Sequence, residues 1–351
     1  MNVEQGARQS ALARRLYTLG GCALLLVAIL GTAGCERKAQ PVGAEKTVSS
    51  AATTSASATQ SRRWRIGFSQ CTVTEPWRVE FNRRLREHAA RNYPNIELTI
   101  LDAGDKTEEQ VAQMKAFIQQ NMDAILISPK EAAGLTNVVR EATQAGIPVV
   151  VLDRNVDWDG YACFVGGDNR LIGRAAGRVA IDLLGGSGQA KGVIYEICGG
   201  LASTPGQERR AGFHEVVEKE PGITIIGGLD CDWKKDKAQK TFQDALKAHD
   251  VIDLVYAHND PMAHGAYQAA KAVGREGEMK FIGIDALPEE GVRWVKAGEL
   301  TATLLYPTPG EVGLDMAVRI LGGEQVPKHV TLPTRVFTQE NADAGGAEAA
   351  P

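Results

Sequence analysis

From Arg65 onward, short β-branched apolar runs alternate with longer stretches in which apolar residues recur every three or four positions. The runs are RIGFSQ, IELTILDA, AILISP, PVVVLDR and CFVGG, then GVIYEIC, ITIIGGL, LVYAHN, KFIGIDA and TATLLYP. Helix-sized segments separate most of them, such as residues 107–121, whose Val111, Met114, Phe117 and Ile118 fall on one helical face. A strand buried on both sides has no polar alternate positions, so near-continuous apolar strands joined by helices predict parallel sheets covered on both faces.

The pattern also echoes itself. QVAQMKAFIQQNMDAILISP and QKTFQDALKAHDVIDLVYAHN each read as a helix, a short polar break containing Asp, and a buried strand. The next strand in each half ends in an aspartate, Asp153 and Asp285. The offsets nearly agree, 129 residues from Ile125 to Leu254 and 132 from Asp153 to Asp285. Two similar doubly wound α/β lobes follow, with polar residues at corresponding strand C-termini. Open parallel sheets bind ligands at that edge, and two such edges facing each other form a cleft.

Length and composition allow this. The 351 residues suffice for two domains, and 44% hydrophobic residues with 38 glycines describe a globular chain rich in turns. A formal net charge of −4, with no long basic cluster past the N-terminus, argues against a nucleic-acid partner. The N-terminus reads as an export signal over residues 1–34: Arg14 and Arg15 precede the apolar run Leu19 to Leu30, and GTAGC follows. The run is about 12 residues, against roughly 20 needed to span a bilayer. GTAGC resembles a bacterial lipobox, which makes Cys35 a candidate for lipidation, although Thr32 stands where leucine is usual; plain cleavage or a retained anchor are the alternatives. Residues 35–62, dense in Ala, Ser and Thr, read as a flexible tether.

Four cysteines lie beyond the tether, Cys71, Cys163, Cys198 and Cys231, and their spacing matches no zinc pattern. Cys198 and Cys231 end strands expected to be neighbours, so they are a candidate disulfide in an oxidising compartment; isolated buried thiols are the alternative. LVYAHNDPMAHGA, residues 254–266, gathers His258, His264, Asn259 and Asp260, but the two histidines are six apart and no third ligand stands in a standard metal spacing. No metal site is expected. No P-loop is present, and GGDNRLIG does not match G-x-G-x-x-G, so no phosphate cofactor is expected either.

The polar groups at the strand ends are Asp153 and Arg154 from one half, and Arg209, Asn259 and Asp285 from the other. Carboxylates accept, guanidinium donates in a planar fork, and asparagine does both, a set suited to a polyhydroxylated ligand. Trp77 and Trp233 could offer ring faces to sugar CH groups. The plain alternatives are that each tryptophan packs within its own lobe, and that Asp153 and Arg154 form a structural ion pair.

The ordered motifs IGFSQ, EPWR, DAILISP, IPVVVLDR, GGDN, ERRAGF, VYAHNDPMAHGA and GIDA, spanning about Arg65 to Thr338, resemble the bacterial periplasmic sugar-binding proteins of ribose and galactofuranose type. These are substrate-binding components of ABC importers. The resemblance implies two lobes joined by three crossing segments, with a first lobe of residues 63–168 plus 308–329, a second of 169–307 plus 330–340, and a disordered tail at 341–351. It makes Trp77 and Trp233 stacking residues, Arg78, Asp153, Arg154, Arg209, Asn259 and Asp285 polar sugar contacts, and the two histidines structural. Hinges are expected near Asp168 and Asn169, near Tyr306, and ahead of Val330. Ser128 stands where the ribose type has an amide.

The reading is therefore a monomeric, extracytoplasmic protein, in the periplasm or at the cell surface, that is held to the membrane by lipid alone. It would deliver a monosaccharide or polyol to an ABC importer permease, without a cofactor. A sugar-sensing partner of a membrane kinase or chemoreceptor is the alternative. An enzyme is disfavoured because neither cleft aspartate sits in a motif that demands catalysis.

Overall fold

The computed structural model of the chain describes residues 63–349. The expected export signal, tether and Cys35 lie outside the described residues. In the first lobe, strands β1 (Trp64–Gln70), β2 (Ile96–Asp102), β3 (Ala124–Ser128), β4 (Val149–Leu152) and β5 (Cys163–Gly167) follow one another, with helices α1 (Pro76–Asn92), α2 (Thr107–Gln119) and α3 (Ala132–Gln144) after the first three. Helix α4 (Asn169–Leu183) opens the second lobe. There β6 (Lys191–Cys198), α5 (Thr204–Val217), β7 (Gly222–Asp230), α6 (Lys235–Ala248), β8 (Leu254–Ala257), α7 (Asp260–Ala272), β9 (Lys280–Asp285), the short α8 (Arg293–Lys296) and β10 (Ala302–Leu305) alternate. The chain then returns to the first lobe with α9 (Gly310–Leu321), which packs on α1, β3 and β4, and with β11 (His329–Leu332). It crosses once more into β12 (Arg335–Thr338) and β13 (Ala347–Glu348).

The first sheet runs β11-β5-β4-β3-β1-β2 and is parallel throughout; the second runs β13-β12-β10-β9-β8-β6-β7, with only β12 reversed, antiparallel to both β10 and β13. In each sheet the order reverses once, between β1 and β3 and between β6 and β8. Helices leaving adjacent strands there diverge to opposite faces, and the gap is where ligands enter such sheets.

Three expectations need correction. The second lobe does not resume at Val330: β11 pairs with β5, Val330 opposite Val165, and the crossing falls at Pro333 and Thr334. Proline has no N–H to continue a ladder, so the strand ends there. The chain after residue 340 is not disordered as far as Ala349, because β13 covers the outer edge of β12 and Asn341 bonds back to Val336 and Thr338. Cys198 and Cys231 are free thiols although β6 and β7 are neighbours. Cys198 is in register with Asp230, and the period of two sends the next residue, Cys231, to the other face. Accordingly Cys198 lies by Arg210 on α5, and Cys231 by Thr241 on α6.

Backbone contact between α4 and α5 fixes the second lobe beside the crossing. A Cβ at Gly212 would stand 2.1 Å from the Arg170 carbonyl oxygen, and one at Gly173 2.3 Å from that of Arg209. Only glycine permits this approach, and it sets Arg209 against Asn169, the first residue of α4.

Candidate functional site

The C-terminal edges of the two sheets enclose a cavity with about 370 Å³ of atom-free space, partly open to solvent. All eight residues singled out in the sequence line it: Trp77, Arg78, Asp153 and Arg154 from the first lobe, and Arg209, Trp233, Asn259 and Asp285 from the second. Glu75, Pro205 and Tyr306 complete the wall. At the rim the lobes touch: the Asn155 N–H donates to Thr204 Oγ1 at 2.9 Å, and the Ala132 N–H to the Ala202 carbonyl at 3.1 Å.

Trp77 and Arg78 sit in the first turn of α1, which Pro76 starts with its preset φ. Arg78 is almost fully used by its own lobe. It lies 2.7 Å from Asp153 Oδ2 and donates to Ser128 Oγ at 2.7 Å and Gln70 Oε1 at 2.9 Å. Ser128 Oγ donates in turn to Asp153 at 2.8 Å. Burial opposes the charge of Asp153, but Arg78 and Arg154 beside it prevail and hold its carboxyl below the usual range.

Asp285, the last residue of β9, has the opposite balance. Burial pushes its carboxyl well above the usual range; Arg209 favours the ionised form, while Asp260 and Glu290 oppose it. Asp153, Trp233 and Asp285 all have positive φ, 64°, 65° and 136°. For non-glycine residues this costs free energy that the surroundings must offset, a feature that concentrates at functional sites.

Arg209 bridges elements: its Nε donates to Asn169 Oδ1 at 2.9 Å and its Nη1 to the His258 carbonyl. Its guanidinium carbon lies 4.4 Å from the Tyr306 ring centre and 5.4 Å from that of Trp233. Trp233 seats its ring on Gly199 and Gly200, where a Cβ would come within 2.3 and 2.7 Å of it. Asn259 caps α7, accepting from Met262 N at 3.0 Å, and donates to the Trp233 carbonyl at 3.1 Å. One of its N–H groups is left over. Trp77 donates its Nε1–H to the Tyr306 carbonyl at 2.8 Å and stacks on that ring at 5.2 Å.

Among the described residues, two residues of the cavity wall carry a buried polar atom without a partner, Glu75 at Oε2 and Trp233 at Nε1. One accepts and one donates, and they come from opposite lobes. Buried polar groups are otherwise almost always paired.

Residues 66–325 match the periplasmic binding protein domain family. The chain belongs to that family. It is 30% identical to the galactofuranose-binding protein of Escherichia coli over 76% of this chain and 85% of that one, and 31% identical to a xylitol-binding protein of Mycolicibacterium smegmatis over 71% and 70%. Among solved structures it is similar to the fructose binding periplasmic domain of a hybrid two component system, at 40% identity and a TM-score of 0.76, covering 80% of this chain and 93% of that one.

Within this periplasmic binding protein, the sequence missed Glu75, Pro205 and Tyr306 as wall residues. Tyr306 directly follows a strand by the same rule that found Asp153, so its signal was present; Glu75 lies in a loop without periodicity. The two histidines line no part of the cavity. His264 stacks on Trp294 at 4.0 Å, and His258 meets Glu196 at 3.3 Å. Glu196, Cys198 and His258 bring ligand atoms within 4.8 Å of one another, a grouping invisible in their spacing. Arg210, 3.7 Å from Glu196, already supplies counter-charge there, and His214 lies 3.0 Å from the same carboxylate.

Proposed function

We propose that this periplasmic binding protein captures a monosaccharide or related polyol between its lobes and delivers it to an ABC importer. The observation that carries the reading is a cavity walled from both lobes by donors and acceptors, Arg154, Arg209 and Asn259 beside Asp153 and Asp285, together with the Trp77 and Trp233 rings. A hydroxyl both donates and accepts, so a ligand with several hydroxyls satisfies such a mixed wall. The relatives' ligands, galactofuranose, xylitol and fructose, are of this class. In this reading all eight expected residues contact or position the sugar, Glu75 and Tyr306 join them, and Asp168, Asn169, Tyr306 and Pro333–Thr334 form the hinge. The protein acts as a monomer, binds rather than turns over its ligand, and is tethered by a lipid on Cys35.

A thermal-shift screen over free hexoses, pentoses and polyols tests the reading. A ligand at about 100 times its dissociation constant stabilises by about 2.7 kcal/mol. A shift with amino acids or anions and none with any polyol would overturn it. A second reading, presentation of the sugar to a membrane-bound sensor, is favoured by the 40% identity to a two component system's periplasmic domain. Loss of sugar uptake on deletion of the gene supports import; intact uptake with loss of a sugar-induced transcriptional response supports sensing.

A further inference from the structure

Four charged side chains meet across the lobes outside the cavity. Asp105 follows β2 and Lys130 follows β3 in the first lobe, while Asp232 and Lys234 lie between β7 and α6 in the second. Lys234 Nζ lies 2.6 Å from Asp105 Oδ2, and Lys130 Nζ lies 3.1 Å from Asp232 Oδ1, so two ion pairs bridge the lobes. Three more lie within the lobes, Lys130 to Asp105 at 2.5 Å, Lys234 to Asp232 at 3.0 Å and the more exposed Lys237 to Asp232 at 3.4 Å. Signs alternate around this ring. None of the four lines the main cavity.

The backbone is shaped to hold the two acids there. Asp105 and Asp232 both have positive φ, 65° and 52°, an unfavourable setting that persists only when its surroundings fix it. The side chains are 14–35% exposed, so they are partly shielded from water yet within reach of salt.

The arrangement has a mechanical consequence. In each lobe the acid is already paired with a base of its own lobe, so separating the lobes removes the two bridging pairs without leaving any of the four charges alone. A lone bridge between the lobes would strand two charges on opening. The ring thus favours closure while keeping it reversible, and the pre-formed pairs lower the side-chain entropy lost on closing.

We propose that Asp105, Lys130, Asp232 and Lys234 form a closure latch, positioning residues that set the closed fraction of the unliganded protein and through it the affinity and release rate of the ligand. Apparent affinity scales with the population of the binding-competent state, so a latch remote from the ligand acts on every ligand alike. The inference rests on the two-lobe clamp and not on the ligand's being a sugar.

The test uses the full chain without ligand. Small-angle scattering is compared at low and high ionic strength, about 20 mM and about 0.5 M salt, across which the screening length falls severalfold. Three proteins are compared: wild type, Lys130→Met with Lys234→Met, and Asp105→Lys with Lys234→Asp. Residues before Arg63 are common to all three and cancel in the comparison. Wild type should be compact at low salt and expand at high salt, its open-to-closed ratio rising roughly three- to tenfold for two partly exposed pairs. The double methionine variant should be expanded at both. The swapped variant keeps both bridging pairs but places like charges within each lobe, so it should be at least as compact as wild type at low salt and still expand at high salt. Equal radii for wild type and the methionine variant at both salts overturn the proposal. So does a swapped variant that behaves like the methionine variant, because the residues would then act through local packing alone. Thermal unfolding of each variant confirms that a folded protein is being measured, and a failed sugar screen leaves this result unaffected.

Discussion

Asp153 and Asp285 occupy matching strand ends in opposite lobes and both adopt positive φ, yet their carboxyls are driven in opposite directions. Asp153 is clasped by Arg78 at 2.7 Å, with Ser128 and Tyr306 donating to it at 2.8 Å. Asp285 is buried near two further carboxyl groups, Asp260 and Glu290, with Arg209 the counter-charge. The surroundings therefore favour the ionised form of one carboxyl and oppose it for the other.

This contrast predicts opposite effects on stability. The stability that Asp153 contributes is present above the unfolded carboxyl value, about 3.9, and is lost as pH falls through its lowered folded value. Asp153→Asn leaves Arg78 buried and uncompensated, and should lose about 3 kcal/mol at pH 7. For Asp285 the folded value is raised, so stability falls as pH rises from about 3.9 toward that value. Asp285→Asn should therefore gain about 1–3 kcal/mol at pH 7 and little near pH 4. Urea unfolding at both pH values decides; a destabilised Asp285→Asn at pH 7 contradicts the account.

The two tryptophans should separate in the same way. Trp77 Nε1 already bonds the Tyr306 carbonyl, so Trp77→Phe should lower stability by about 1 kcal/mol. Trp233 Nε1 has no partner among the described residues, so Trp233→Phe should keep the ligand-free stability and weaken sugar binding by about 1 kcal/mol, near fivefold. Calorimetric titration with the sugar found in the screen measures the second effect. Wild-type affinity in Trp233→Phe would remove that ring nitrogen from the site.

Ligand binding should close the lobes only when both hold the ligand. At about 0.5 M salt, where screening leaves the ligand-free lobes apart, wild type should compact in scattering on adding sugar. Asp285→Ala leaves ligand donors unpaired at a cost of about 1–3 kcal/mol, and should not compact at a concentration that saturates only wild type. Compaction of both proteins alike would mean that one lobe suffices.

Membrane attachment should depend on Cys35. Among the described residues no helix is long and apolar enough to cross a membrane. Cys35→Ala should move the protein from the membrane fraction to the soluble extracytoplasmic fraction, as read by fractionation and immunoblotting. Retention of the variant in membranes would exclude a lipid at that position as the anchor.

The strands could be read along the chain because strand burial on both faces leaves an uninterrupted apolar record, as in AILIS of β3 and LVYA of β8. Asp153, Asn259 and Asp285 were legible because they directly follow or end such strands. Glu75 was passed over because its loop has no periodicity to anchor it. The error at Val330 has the same root: β11 and β12 are two four-residue strands separated by Pro333 and Thr334, and periodicity that short cannot say which sheet takes which strand.

Local pattern thus determined the two α/β halves, the repeat between them and the strand ends that meet in the cavity, because these depend on residues near in sequence. Tertiary structure alone decided how each polar group is spent. Asn259 caps a helix, Arg78 is consumed by Asp153, and Glu196 gathers His258 and His214. It also decided that Asp105, 129 residues from Lys234, would meet it across the lobes. Proton affinity and pairing depend on distance and burial, and neither is written in the order of the residues.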